Sequence, residues 1–112
     1  MNRVFLFGKA GGDAEEKKEG FVVFRLATTE ARKTKEGTWE KQTEWHAIVC
    51  GSFTAEKAKN IKKGDDVLVE GQIRTHEYNN QRYTQIEARA ITIAASQPKQ
   101  EKKIEPDFDI PF

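Results

Sequence analysis

The stretch Phe21–Thr29 is written in period two. Val22, Phe24 and Leu26 alternate with Val23, Arg25 and Ala27. Such alternation gives a strand two unlike faces, and the apolar one must be buried against other strands. Strand signals fill most of the remaining chain. Asn2–Phe7 is a compact apolar strand ended by Gly8, and Gly11 to Gly20 read as a polar turn or loop. Glu30–Lys41 reads as a charged loop, Gln42–Cys50 as a third strand ended by Gly51, and Asp66–Tyr78 and Gln81–Ala94 as a fourth and fifth. Asn79-Asn80 joins the last two as a tight hairpin connection. The exception to period two is Thr54–Lys62, where helix formers carry Ala55, Ala58 and Ile61 on one side and Thr54 serves as N-cap.

Three strands, a helix and a two-strand hairpin are the element order of a five-stranded OB-fold barrel, with the helix between the third and fourth strands. The expectation is therefore an all-β fold over residues 1–95. In a chain of 112 residues that leaves one domain with a thin core, which oligomerisation would help. Residues 96–106 are polar, with Pro98, Pro106 and three lysines, and read as a disordered linker. Residues 107–112 form a separate acidic and apolar tip.

Catalysis finds no foothold in these residues. His46 and Cys50 share strand parity, but four residues along a strand separate them by about 13 Å, and neither a third orienting group nor an oxyanion site is apparent. Two histidines and one cysteine without metal-ligand spacing argue against zinc. Glu15-Glu16 and Asp65-Asp66 read as turn residues, where no burial prepares a carboxylate for acid–base work. The reading is a non-enzyme with no cofactor and no metal. A lone cysteine excludes an internal disulfide and fits a reducing compartment. The apolar run Val4–Phe7 is too short for a signal peptide or a membrane span, so the expected location is the cytoplasm. A net charge of +1 conceals a mildly basic body and an acidic end carrying Glu105, Asp107 and Asp109.

Five stretches lie in a telling order: Asn2-Arg3-Val4; Leu26-Ala27-Thr28-Thr29-Glu30; Gln42-Thr43-Glu44-Trp45-His46; Lys63-Gly64-Asp65 with Val69-Glu70-Gly71-Gln72-Ile73-Arg74-Thr75; and Asp107-Phe108-Asp109-Ile110-Pro111-Phe112. Together they make the chain resemble the bacterial single-stranded DNA-binding protein (SSB) family over essentially its full length. The resemblance implies an OB-fold homotetramer, associated with the nucleoid, that wraps single-stranded DNA around its outside and catalyses nothing. It implies protection of unwound DNA. It also implies recruitment of replication, recombination and repair proteins through the tip Asp107, Phe108, Asp109, Ile110, Pro111 and Phe112. Asn2, Val4, Leu6 and His46 match positions at the subunit interface.

A sequence-neutral single-strand binder needs exposed π-faces for bases and a basic track for phosphates. The candidate stackers are Trp39, Trp45, Phe53, Tyr78 and Tyr83. Trp45 and Tyr78 fall where the family places stacking tryptophans. Arg32 stands where its loop tryptophan would be and Gly51 where a phenylalanine would be, so Trp39 and Phe53 are candidate substitutes. Phe5, Phe7 and Phe24 read as core or subunit contact. Candidate phosphate contacts are Arg3, Arg32, Lys33, Lys35, Lys62, Lys63, Arg74 and Arg82, each releasing counterions on binding. The alternatives are a primosomal or RNA-binding OB-fold protein, which would lack the Ile-Pro-Phe terminus, and an adaptor whose barrel only oligomerises.

Overall fold

The structure of the chain, a computed structural model, describes residues 1–94. Its elements run β1 (Val4–Ala10), β2 (Glu15–Lys18), β3 (Phe21–Lys33), β4 (Trp39–Cys50), α1 (Ser52–Ala58), β5 (Asp66–Tyr78) and β6 (Gln81–Ile93). The strand order is β1-β5-β6-β4-β3-β2, with β1 also pairing β3. That last pairing closes five strands into the OB-fold barrel, and α1 falls between the third and fourth of them as the sequence implies.

Closure turns on β1. Its first part pairs β5, from Val4↔Gly71 to Lys9↔Asp66, and its end pairs β3 at Lys9↔Ala27 and Ala10↔Leu26. At the crossing Gly8 presses on β3, where a Cβ would collide with the Ala27 carbonyl oxygen. Gly71 meets the Glu87 carbonyl oxygen in the same way, beside a β-bulge in the β5–β6 ladder. Gly8 therefore does not end the first strand. It lets the strand bend through the corner.

The period-two reading of Phe21–Thr29 sets the core. Val22, Phe24 and Leu26 are buried together with Ile48, Cys50, Val67, Val69, Ile86 and Ile91. Ala55 and Ala58 join this core from the helix, and Ile61 joins it from the turn that follows. Val4 and Leu6 pack against this core from β1. Phe24 is core, whereas Phe5 and Phe7 are 64% and 60% exposed and belong to the outer face.

Three further sequence expectations are corrected. Glu15–Lys18 is not loop but a short strand, paired with Val22 and Val23 of β3. The expected charged loop Glu30–Lys41 is mostly ladder: β3 and β4 stay paired out to Lys33↔Trp39, which leaves Thr34–Thr38 as the turn. The helix starts and ends earlier than the expected Thr54–Lys62, at Ser52 and Ala58, with Gly51 as its extended N-cap, no side-chain cap, and Lys59 closing it. Thr54 lies inside it and donates its hydroxyl to the Gly51 carbonyl at 3.3 Å. The hairpin turn is as expected: Asn79 and Asn80 both take positive φ (54° and 62°), the conformation a two-residue connection demands.

Candidate nucleic-acid interface

The long β3–β4 hairpin sorts its side chains by register. Lys33↔Trp39, Ala31↔Lys41, Thr29↔Thr43, Ala27↔Trp45 and Arg25↔Ala47 share one face, which continues the outside of the barrel. Arg32↔Glu40, Glu30↔Gln42 and Thr28↔Glu44 share the other. Both tryptophans therefore stand on one surface, Trp45 53% and Trp39 67% exposed. Each carries a cation. Arg25 lies 5.6 Å from the Trp45 ring centroid and Lys33 lies 6.0 Å from that of Trp39, close enough for a cation–π attraction.

The same outer surface runs on across β6 and β5. β4 and β6 are parallel, with Val49 beside Glu87. Outward residues of β6 and β5 then pair as Gln72↔Glu87, Arg74↔Gln85, His76↔Tyr83 and Tyr78↔Gln81. Tyr78 and Tyr83 are exposed, and the Tyr83 hydroxyl donates to Gln81 Oε1 at 2.9 Å. Gln72 donates Nε2–H to Glu87 Oε1 at 2.8 Å, and Arg74 Nη1 lies 3.7 Å from the same oxygen. Phe53, 94% exposed, stands in the first turn of α1 at the rim of a groove above this row.

The candidate cations separate. Lys33 and Arg74 are on the aromatic face. Arg32 is on the reverse of its hairpin, opposite Glu40, and Arg82 is on the reverse of the other, opposite Glu77. Arg3 is engaged elsewhere, at 2.8 Å from Glu70. Lys35 sits exposed in the hairpin turn. Lys62 and Lys63 lie in a turn tied down through their backbone N–H groups, to Asp65 Oδ2 and Asp13 Oδ1 at 2.9 Å each. Two cations of the aromatic face, Arg25 and Lys41, were not among the sequence candidates. Their odd-numbered parity with Trp39 and Trp45 in the paired register is the signal that finds them.

The remaining candidates lie apart. His46 is half-buried on the inward side, with Nε2 2.8 Å from Thr28 Oγ1. Asn2 is fixed to β5, donating to the Ile73 carbonyl at 2.9 Å and accepting the Ile73 N–H at 3.0 Å. Val4 and Leu6 turn toward the chain's own core, so the outward apolar residues of β1 are Phe5 and Phe7. The tip Asp107–Phe112 lies outside the described residues, as does the linker 96–106. Among the described residues, no group of three or more His, Cys, Asp or Glu is placed to hold a metal ion.

Comparison with known proteins gives a consistent picture. The model of the Single-strand binding protein family matches residues 1–99. A single-stranded DNA-binding protein of Xanthomonas campestris pv. campestris is 38% identical over 86 residues, covering 72% of this chain and 50% of that protein. Single-stranded DNA-binding protein 1 of Chlorobaculum tepidum is 34% identical over 85 residues, covering 71% and 52%. The chain thus spans about half the length of these curated relatives. Among solved structures, Plasmodium falciparum SSB in complex with ssDNA superposes with a TM-score of 0.76 at 22% identity, covering 85% of this chain and 96% of that one. The small single-stranded DNA-binding protein of Streptomyces coelicolor superposes with a TM-score of 0.59 at 25% identity, covering 83% and 95%.

Proposed function

The chain belongs to the single-strand binding protein family, and from that footing we propose that it binds single-stranded DNA largely regardless of sequence, with no reaction and no cofactor. The observation that carries this reading is the shared outer face. Trp39 and Trp45 stand there among Arg25, Lys33 and Lys41, and the row continues through Arg74 to Tyr83 and Tyr78. Stacking contributes roughly 1–3 kcal/mol per base, and every base offers a π-face. Cations between the rings neutralise the phosphates that link the bases. A duplex keeps its bases stacked on each other, so this face would hold it only through phosphates.

The reading extends to assembly. Phe5, Phe7 and the neighbouring Leu68 of β5 are exposed on the barrel's outside, and contiguous apolar patches of this kind mark interaction surfaces. They are the surface through which a homotetramer forms, with Val4 and Leu6 backing the strand, and Asn2 and His46 fixing its neighbours. Protection of unwound DNA in the cytoplasm, and recruitment of replication, recombination and repair proteins through Asp107–Phe112, complete the proposal.

A gel shift with single-stranded and duplex DNA of equal length, repeated across a salt series, tests it. Strong preference for the single strand, weakening steeply with salt, is expected. Equal affinity for the two forms overturns the reading, and preference for single-stranded RNA favours the RNA-binding alternative.

A further inference from the structure

Beside α1 the outer face opens into a groove of about 410 Å³, walled by Gly51, Phe53, Gln72, Glu87 and Arg89, within the roughly 300–1,000 Å³ typical of ligand sites. Two local features make it. A Cβ on Gly51 would meet nothing within 4 Å, so that wall is bare backbone. The bulge between Glu70 and Gly71 skips from Ala90 to Ala88, which leaves Arg89 without a partner on β5. Bulges re-aim side chains, and this one leaves Arg89 in the groove that Glu87 also lines.

The groove's polar groups are unlike. The Glu87 carboxylate only accepts. Its Oε1 already takes the Gln72 N–H at 2.8 Å and lies 3.7 Å from Arg74 Nη1, which together hold the group in place, and Oε2 has no hydrogen bond among the described residues. The Arg89 guanidinium only donates. A carboxylate acceptor and a guanidinium donor lining one groove, with an exposed Phe53 ring at the rim, make a pattern that bases match unequally. Thymine presents one N–H between two carbonyls, so its oxygens would face the carboxylate. Adenine and cytosine each offer one amino group next to acceptors. Guanine alone offers two adjacent donors, N1–H and the N2 amino group, followed by the O6 acceptor.

We propose that this groove is a guanine-selective subsite, with one base stacked on Phe53, its N1–H and N2–H donating to Glu87, and its O6 accepting from Arg89. This rests on the single-strand binding proposed above and makes one position of an otherwise tolerant surface selective.

The test compares the full chain's affinity for a dT oligomer with that for an oligomer of equal length carrying dG at every fourth position. Tighter binding of the dG oligomer, on the order of tenfold, is expected. In Glu87→Gln the amide turns a donor toward guanine, so the ratio should fall to near one. Phe53→Ala should weaken both oligomers. Equal wild-type affinity for the two overturns the subsite while leaving single-strand binding intact, and so does a preference that survives in Glu87→Gln. Failure to bind either oligomer removes the functional reading itself.

Discussion

Gly11 is the shelf on which Trp45 rests: a Cβ added to Gly11 would stand 2.5 Å from Cζ3 of the indole and 3.1 Å from Cη2. With Arg25 at 5.6 Å from the ring centroid, the tryptophan is placed before any ligand arrives. Gly11→Ala must push the ring aside, although the backbone there is outside the left-handed region and accepts alanine. The expected result is loss of about 1–3 kcal/mol of single-strand affinity, the worth of one stacked base, with an unchanged urea midpoint. Tryptophan fluorescence quenching by oligo-dT measures the first quantity. Full affinity in Gly11→Ala would show that the seating of Trp45 is immaterial.

The two faces of the β3–β4 hairpin make a paired prediction. Lys41 is on the face of Trp39 and Trp45, and Arg32 is on the reverse opposite Glu40. Each lost phosphate contact lowers the slope of log affinity against log salt by about 1. Lys41→Ala should show that change and Arg32→Ala should not. The opposite pattern would place the DNA on the reverse face.

How far the sequence could be read depended on whether a strand had one dry face. Phe21–Thr29 has one, so its inward set was plain. Asp66–Tyr78 was bounded correctly, and α1 fell between the expected strands. The outer parts of β3 and β4 are wet on both sides. Their residues carry no alternation, and only the nonlocal register pairs Arg32 with Glu40 and puts Trp39 beside Trp45's face. Glu15–Lys18 is exposed throughout and was hidden for the same reason. In β1 both sets are apolar, so period two named no face. What decides it is nonlocal packing: Val4 and Leu6 share the parity of the buried Ala10 and of Gly8, where a Cβ would collide with the Ala27 carbonyl of β3. The bulge at Arg89 leaves no mark in composition at all.

Gly8 and Gly71 should be intolerant of any side chain. At both, a Cβ would collide with a carbonyl oxygen of a neighbouring strand, and backbone cannot swing away as a side-chain tip can. Gly71→Ala should cost about 3 kcal/mol or more, at or above the upper end of ordinary overpacking, a large part of the stability of so small a domain. Urea unfolding followed by circular dichroism reads it. A midpoint within error of the wild type would mean that the β5–β6 bulge yields freely.

Cys50 provides the last prediction, because it is a titratable group sealed in the core. Burial pushes its thiol from an ordinary value of 9.0 up to about 11, with the neighbouring Thr54 pulling the other way. The unfolded chain releases this proton at lower pH than the folded one. The native state therefore binds more protons between the two values, and stability falls as pH rises through that window. Below pH 8 the contribution is constant, and it is lost progressively from about 9 to 11. Urea midpoints for the wild type should therefore drop between pH 8 and pH 10.5 more steeply than those of Cys50→Ala. That variant has no thiol to ionise, though it starts less stable for lack of the buried sulfur. Parallel curves for the two proteins would mean that the thiol ionises as readily inside the barrel as outside it.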